Sequence, residues 1–235
     1  MDLDPDLSAL GALGGFFVLR TGAPARGAPP TLAQAYASGP PEGGADPLAV
    51  RIRKVARTLR APELRVAASL AHQGLAARLW SVALGCAALY GRLPDLDPRL
   101  LRWDPEGSMP DDLWLSDVRP LPVASLDTVV REGHLAPLTA ALGARHRISP
   151  GLLWGNAGSA LAGSVRTLDR WARKYGRADV AERARSLAAA LFAHPDLSGT
   201  LDPATGRRRS CCLHYRLPAG GLCGDCCFDR PPGRE

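Results

Sequence analysis

Apolar residues recur at helical spacing along most of this chain. From Pro47 to Arg60, Leu48, Ile52, Val55 and Leu59 fall on one face with arginines between them, which predicts an amphipathic helix. Pro62 opens a longer run, Glu63 to Tyr90, whose alanines, together with Gly74 and Gly85, permit close helix contacts. A break or bend is expected near Gly74 or within Ser81 to Gly85, giving a buried helical hairpin or one long bent helix. Ser149-Pro150 places serine at an N-cap and proline at the first helical position, and that helix can run to about Tyr175 before Gly176 ends it. The next, Asp179 to Ala193, sets Val180, Ala184, Leu187 and Leu191 on one face, with Pro195 just beyond.

The pattern is weaker elsewhere. Residues 1–20 suggest a short helix ending near Gly14-Gly15, then Phe16 to Leu19 as a short strand or edge extension. Thr21 to Pro30 and Gly39 to Pro47 are rich in Pro, Gly and Ala and read as irregular connectors around a brief helix, Thr31 to Ala37. After Gly91, Leu100 to Trp103 and Asp112 to Leu115 flank the turn-forming Asp104 to Asp111, which predicts a small β-hairpin. An irregular Arg119 to Pro122 then leads to helices near Ser125 to Glu132 and Leu135 to Gly143. The fold class expected is mainly α: a multi-helix body with a small β-hairpin insertion and a C-terminal cysteine-rich knuckle. Its divisions would be residues 1–46, an irregular N-terminal section; 47–200, the helical body; and 201–235, the metal-binding segment.

Composition narrows the partners. The 235 residues carry a net charge of +6, borne mainly by arginine. Such a balance permits nucleic acid, anionic membranes or anionic ligands, but no long basic run with interleaved aromatics appears, so nucleic acid is not an expected partner. The longest tempting apolar run, Leu79 to Gly91, falls short of the roughly 20 residues a spanning helix needs, so membrane insertion is not expected either. The start, Met1 to Asp6, is acidic and lacks a basic leader, which points to the cytoplasm. In that reducing compartment clustered cysteines persist as thiols, metal ligands or redox centres. There is no P-loop, G-x-G-x-x-G, H-E-x-x-H or G-x-S-x-G, and Ser159 is not a nucleophile elbow. Electrons for any redox reaction would therefore come from a separate donor, a protein or a small reductant.

The tail changes the picture, because five of the six cysteines lie between Ser210 and Phe228. Cys211, Cys212, Cys223 and Cys226 form C-C-x10-C-x2-C, and four thiolates suit either a [2Fe–2S] cluster or a structural zinc. Leu217 to Gly221 supplies a proline and two glycines, so the segment can fold back and bring the halves together. Adjacent cysteines in extended chain point to opposite faces, which suits a two-metal cluster better than one compact ion. A fifth cysteine, Cys227, leaves the fourth ligand open, although the spacing favours Cys226.

The segment from Arg208 through Cys211-Cys212-Leu213-His214-Tyr215 to Cys223-Gly224-Asp225-Cys226 resembles the C-terminal signature of FhuF-like ferric-siderophore reductases. Leu153 to Ala157 and Ala68 to Trp80 extend the likeness inward. The resemblance implies a [2Fe–2S] cluster on Cys211, Cys212, Cys223 and Cys226, a ferric siderophore as substrate, and one-electron reduction that releases Fe(II) in the cytoplasm. Cys227 departs from the family pattern. The alternative is a non-catalytic helical binding protein in which the same cysteines hold a structural zinc.

Other candidates follow from position. Arg208 and Arg209, in the run that starts at Arg207, and His214 inside the motif could tune a cluster by charge or proton uptake. Arg207 to Arg209 could equally be a solvated basic turn, and His214 a histidine packed on the knuckle. His72, Trp80, Trp154, Asn156 and Arg166 could line a substrate pocket, or be core aromatics and satisfied polar groups. Cys86, in an apolar stretch, reads as a buried small hydrophobe.

Overall fold

The computed structural model describes residues 7–22, 27–37 and 45–232. The acidic start and most of the connector after residue 38 lie outside the described residues. The helices are α1 (Leu32–Tyr36), α2 (Pro47–Leu59), α3 (Leu64–Tyr90), α4 (Ala136–His146), α5 (Pro150–Tyr175) and α6 (Ala178–Phe192). A π-helical segment, Thr128–Leu135, runs directly into α4, so the two helices expected there form one continuous rod.

The core is built around α3, which packs most extensively on α5 and also against α2 and α6. Its 27 residues are mostly apolar with no single polar face, and a helix of that kind is stable only when covered on most sides. Neither expected break occurs. A glycine inside a helix costs about 1 kcal/mol relative to alanine, and burial of the surrounding leucines and alanines outweighs it. Gly85 has a packing reason besides: a β-carbon there would stand 2.9 Å from the ring of Phe17.

Helix ends follow local chemistry. Asp46 caps α2 by accepting from the amides of Leu48 (3.0 Å) and Ala49 (3.3 Å). Ser149 caps α5, and Gly176 closes it in the left-handed conformation. Thr31 and Gln34 form a reciprocal capping box on α1.

The expected hairpin is present as β3 (Leu101–Trp103) antiparallel to β4 (Leu113–Leu115), but it is not isolated. β1 (Arg20–Thr21) pairs parallel to β4 and makes it the centre of a three-stranded sheet. Phe16 to Leu19 is not the strand: Gly15–Phe17 is a 3₁₀ turn and the ladder starts one residue after Leu19. Arg119 to Pro122 is not irregular. β5 (Pro120–Pro122) pairs with β2 (Arg92–Pro94) in a two-stranded ribbon, the kind of edge position where proline's missing donor is tolerated.

The described N-terminal residues belong to the core, with Leu7, Leu10, Phe17, Leu19 and Leu32 all buried. Arg78 of α3 holds them down. Its buried guanidinium donates to the carbonyls of Gly15 (2.7 Å) and Phe16 (3.0 Å) and pairs with Asp112 at 3.4 Å, while Arg51 reaches the other Asp112 oxygen at 3.1 Å. No helix is long and apolar enough to cross a membrane among the described residues.

Candidate metal centre and the cavity beside it

The cysteine tail has few apolar side chains of its own, and a polar relay fastens it to α3 and α5. After α6 the chain turns at 202–206, where Asp202 accepts from the amides of Ala204 (3.0 Å) and Thr205 (2.9 Å), and Leu201 bridges Arg208. That bridge aims Arg208 inward. Its fully covered guanidinium donates to Asn156 Oδ1 (2.6 Å), Ser159 Oγ (2.6 Å) and Asp225 Oδ1 (2.9 Å). Asn156 in turn donates to the carbonyl of Ser69 (2.9 Å), and Ser69 Oγ donates to the carbonyl of Cys212 (2.8 Å). Burial alone would raise the Asp225 carboxyl, but the Ser159 hydrogen bond and the Arg208 charge outweigh it and hold it below the usual range.

Two glycines of α5 make room for this seat. A β-carbon on Gly155 would lie 2.0 Å from Ser210 Oγ, and one on Gly158 would lie 2.3 Å from Thr200 Oγ1. Gly155 thus permits the chain to pass against the helix directly before the first cysteine.

Cys211 and Cys212, though adjacent, go separate ways. Cys212 Sγ stands 3.5 Å from Cys223 Sγ. Thiolates on one tetrahedral metal with bonds of about 2.3 Å lie about 3.8 Å apart, so this pair fits a shared metal. Cys211 instead neighbours Cys227, which also adjoins Cys226. Directly after the pair, Leu213 is left-handed at φ +69°, and its amide donates to Cys211 Sγ at 3.3 Å. The amide of Phe228 reaches Cys226 Sγ in the same way at 3.5 Å. Such N–H···S bonds two residues on stabilise charge on sulfur. Among the described residues no three His, Cys, Asp or Glu side chains converge on a single ion position. One pair and a separate group of sulfurs match two metal positions better than one. Burial pushes the Cys211 thiol up to about 11 and raises Cys223 and Cys227 as well, so occupancy by a metal must displace protons.

Beside the sulfurs opens a cavity of about 860 Å³, within the range of small-molecule sites. Gln73, Ala77 and Ser81 of α3 form one wall, and Gly163, Arg166, Thr167 and Arg170 of α5 another. The 3₁₀ turns at 13–17 form a third, and Arg207, Cys223 and Asp225 close the end nearest the sulfurs.

Two family models match the chain. The ferric iron reductase FhuF-like transporter model covers residues 72–199, and the FhuF 2Fe-2S C-terminal domain covers residues 208–228. The chain belongs to the FhuF-like ferric iron reductase family. No curated protein matches it. The FhuF-like tail is a 2Fe-2S domain, and its donor set of closely spaced thiols with amides directed at sulfur fits that cluster.

The other residues singled out in the FhuF-like sequence divide. Arg208 reaches the knuckle from inside. Arg209 does not: it is exposed, and its charge acts on Asp202. His214 Nδ1 donates to the carbonyl of Gly221 at 3.1 Å and braces the loop between the two cysteine pairs. Of the five pocket candidates only Arg166 lines the cavity. His72 and Trp80 are buried with no exposed surface, because the largely apolar, centrally packed α3 places them in the core. Asn156 is used up in the relay, and Trp154 packs against the core. Cys86 is buried, as its apolar surroundings suggest. Ser69, Ser159 and Asp225 were not legible as site residues. The packing of α3 on α5 brings the two serines together, and Asp225 joins them only when the tail folds back onto α5.

Proposed function

We propose that this chain is a cytoplasmic ferric-siderophore reductase whose [2Fe–2S] cluster is held by Cys211, Cys212, Cys223 and Cys226. The observation that carries the reading is the position of Cys223, which belongs both to the paired sulfurs and to the cavity wall. A ferric complex in that cavity would rest against a cluster ligand. The C-C-x10-C-x2-C spacing favours Cys226 as the fourth ligand, and its sulfur accepts an amide as that of Cys211 does.

When bound, such a cluster supplies single electrons, and ferric iron that gains one becomes ferrous, which hard oxygen donors hold far less tightly. The chain's own residues seat, shield and position. Arg208 fixes Asp225 and the Cys223 loop to α5, so the cavity end keeps its distance from the sulfurs during turnover. The guanidinium also offsets negative charge in a partly dry site. An external one-electron donor, a reduced protein or small reductant, restores what each ferric ion consumes.

The test is anaerobic purification followed by assay of iron, acid-labile sulfide and visible absorption. Dithionite-reduced, desalted protein is then mixed with a ferri-siderophore and a ferrous chelator. The expected result is iron and sulfide in the ratio of a [2Fe–2S] cluster, with cluster oxidation matched one-to-one by trapped Fe(II). Stoichiometric zinc without sulfide in a colourless preparation would remove the proposal and leave a structural four-cysteine zinc site.

A further inference from the structure

We infer that the cavity beside Cys223 selects ferric complexes bearing negative charge, and that Arg166 and Arg170 read that charge. The inference rests on the cavity being the substrate site and adds the class of substrate. Arg166 and Arg170 stand one turn apart on α5, both lining the cavity and both exposed. Among the described residues neither is engaged in an ion pair, and Arg170 donates only to the neutral hydroxyl of Thr167, at 3.0 Å. The other charges at this cavity are already matched. Arg207 pairs with Asp229 at 2.5 Å, and Asp225, the carboxylate of the lining, is taken by Arg208 at 2.9 Å and feels Arg166 only through its longer-range field. Two guanidinium groups without a direct counter-charge among the described residues therefore remain on one wall.

Among the described residues the facing surfaces carry no charge. Gln73, Ala77 and Ser81 lie across from them, with the exposed ring of Phe16 at the N-terminal wall. A ligand suited to this box has an aromatic or apolar body and anionic oxygens, as a tris-catecholate or carboxylate chelate has. An uncharged trihydroxamate complex would leave both cations without a counter-charge. Guanidinium pairs oxygen anions in a planar fork, which makes arginine the apt residue for such recognition. The thiolate end of the cavity repels an anionic complex, and cations along its approach are what would let one settle there.

Gallium(III) complexes test this without electron transfer. Holoprotein purified anaerobically is dialysed to equilibrium against the trianionic gallium tris-catecholate and the uncharged gallium trihydroxamate. Parent, Arg166→Gln, Arg170→Gln and the double variant are compared at low and high salt. Both positions are exposed, so substitution leaves the core intact, and the visible absorption band verifies each variant. The parent is expected to bind the anionic complex about tenfold more tightly at low salt, with the gap narrowing as salt screens it. The double variant should lose about that tenfold for the anionic complex and stay within about twofold for the uncharged one. Equal affinities, a gap that survives the double substitution, equal loss of both complexes, or binding of neither overturns the inference. Selective binding by a chain that carries no iron–sulfur centre would remove the reductase reading and leave this one. Cluster-dependent reduction of ferric complexes regardless of charge would do the reverse.

Discussion

Arg208 concentrates much of the site's energetics in one side chain. Its guanidinium is buried between α5 and the knuckle and balanced by Asp225. Removing one member of such a pair strands the other without solvent, at a cost of about 3–5 kcal/mol, whereas replacing both with apolar groups costs far less. Arg208→Met should therefore lower unfolding stability by about that range and reduce cluster content, and the Arg208→Met, Asp225→Leu double variant should recover part of the stability. Denaturant titration checks it; a double variant no better than the single one would show that the pair is not coupled. At the sulfurs, Cys226→Ser is expected to abolish the visible iron–sulfur band and Cys227→Ser to retain it. The reverse outcome would move the fourth ligand to Cys227. The cysteine spacing shows in the sequence because ligand spacing is local, whereas the Arg208 partners do not: Asn156 and Ser159 lie about fifty residues away and meet it only across a helix face.

The decisive element is α5, which carries one wall of the cavity, the seat of the tail and half of the central packing. Gly155 and Gly158 of α5 differ from Gly74 of α3 in what a methyl would meet. At Gly158 an added β-carbon would stand 3.1 Å from Thr200 Cβ and 2.3 Å from its hydroxyl, which is bonded to the Leu197 carbonyl at 2.7 Å. Gly158→Ala should lower the melting temperature by displacing the chain that leads into the cysteines, despite alanine's better helix propensity. At Gly74 nothing lies within 4 Å of the same atom. Gly74→Ala should raise stability by about 0.5–1 kcal/mol, through helix propensity alone. Thermal unfolding of the two variants side by side checks the argument, and shifts of the same sign would undo it. Periodicity located α2, α5 and α6 within a residue or two. It put a break or bend in α3 where the helix runs unbroken, because glycine's local cost is visible in sequence and the burial that overrides it is not.

At the scale of the whole molecule, the interior holds two neutral histidines. His134 accepts from the Tyr36 hydroxyl (2.9 Å) and donates to the Leu96 carbonyl (2.5 Å), and burial lowers it to about 4. Burial lowers His72 to about 3. Both values lie below the ordinary 6.5, so the unfolded chain binds protons first. Their contribution is complete above about pH 6.5 and fades as pH falls toward 4 and then 3. His134 alone should cost up to about 3 kcal/mol across its window, and His134→Gln should flatten that part of the profile. Denaturant unfolding by far-UV circular dichroism at each pH checks this, with visible absorption following the metal centre separately; an unchanged slope would discount the histidine. The sequence by itself determined the helical body, the hairpin and the cysteine set, since each depends on spacing among neighbours in the chain. Tertiary structure alone decided which serine, asparagine and aspartate brace the knuckle, and that Arg166 and Arg170 rather than His72 and Trp80 face the cavity. Those outcomes depend on which turns of α3 and α5 meet, and that register is set by the sum of many small packing energies rather than by any short stretch of residues.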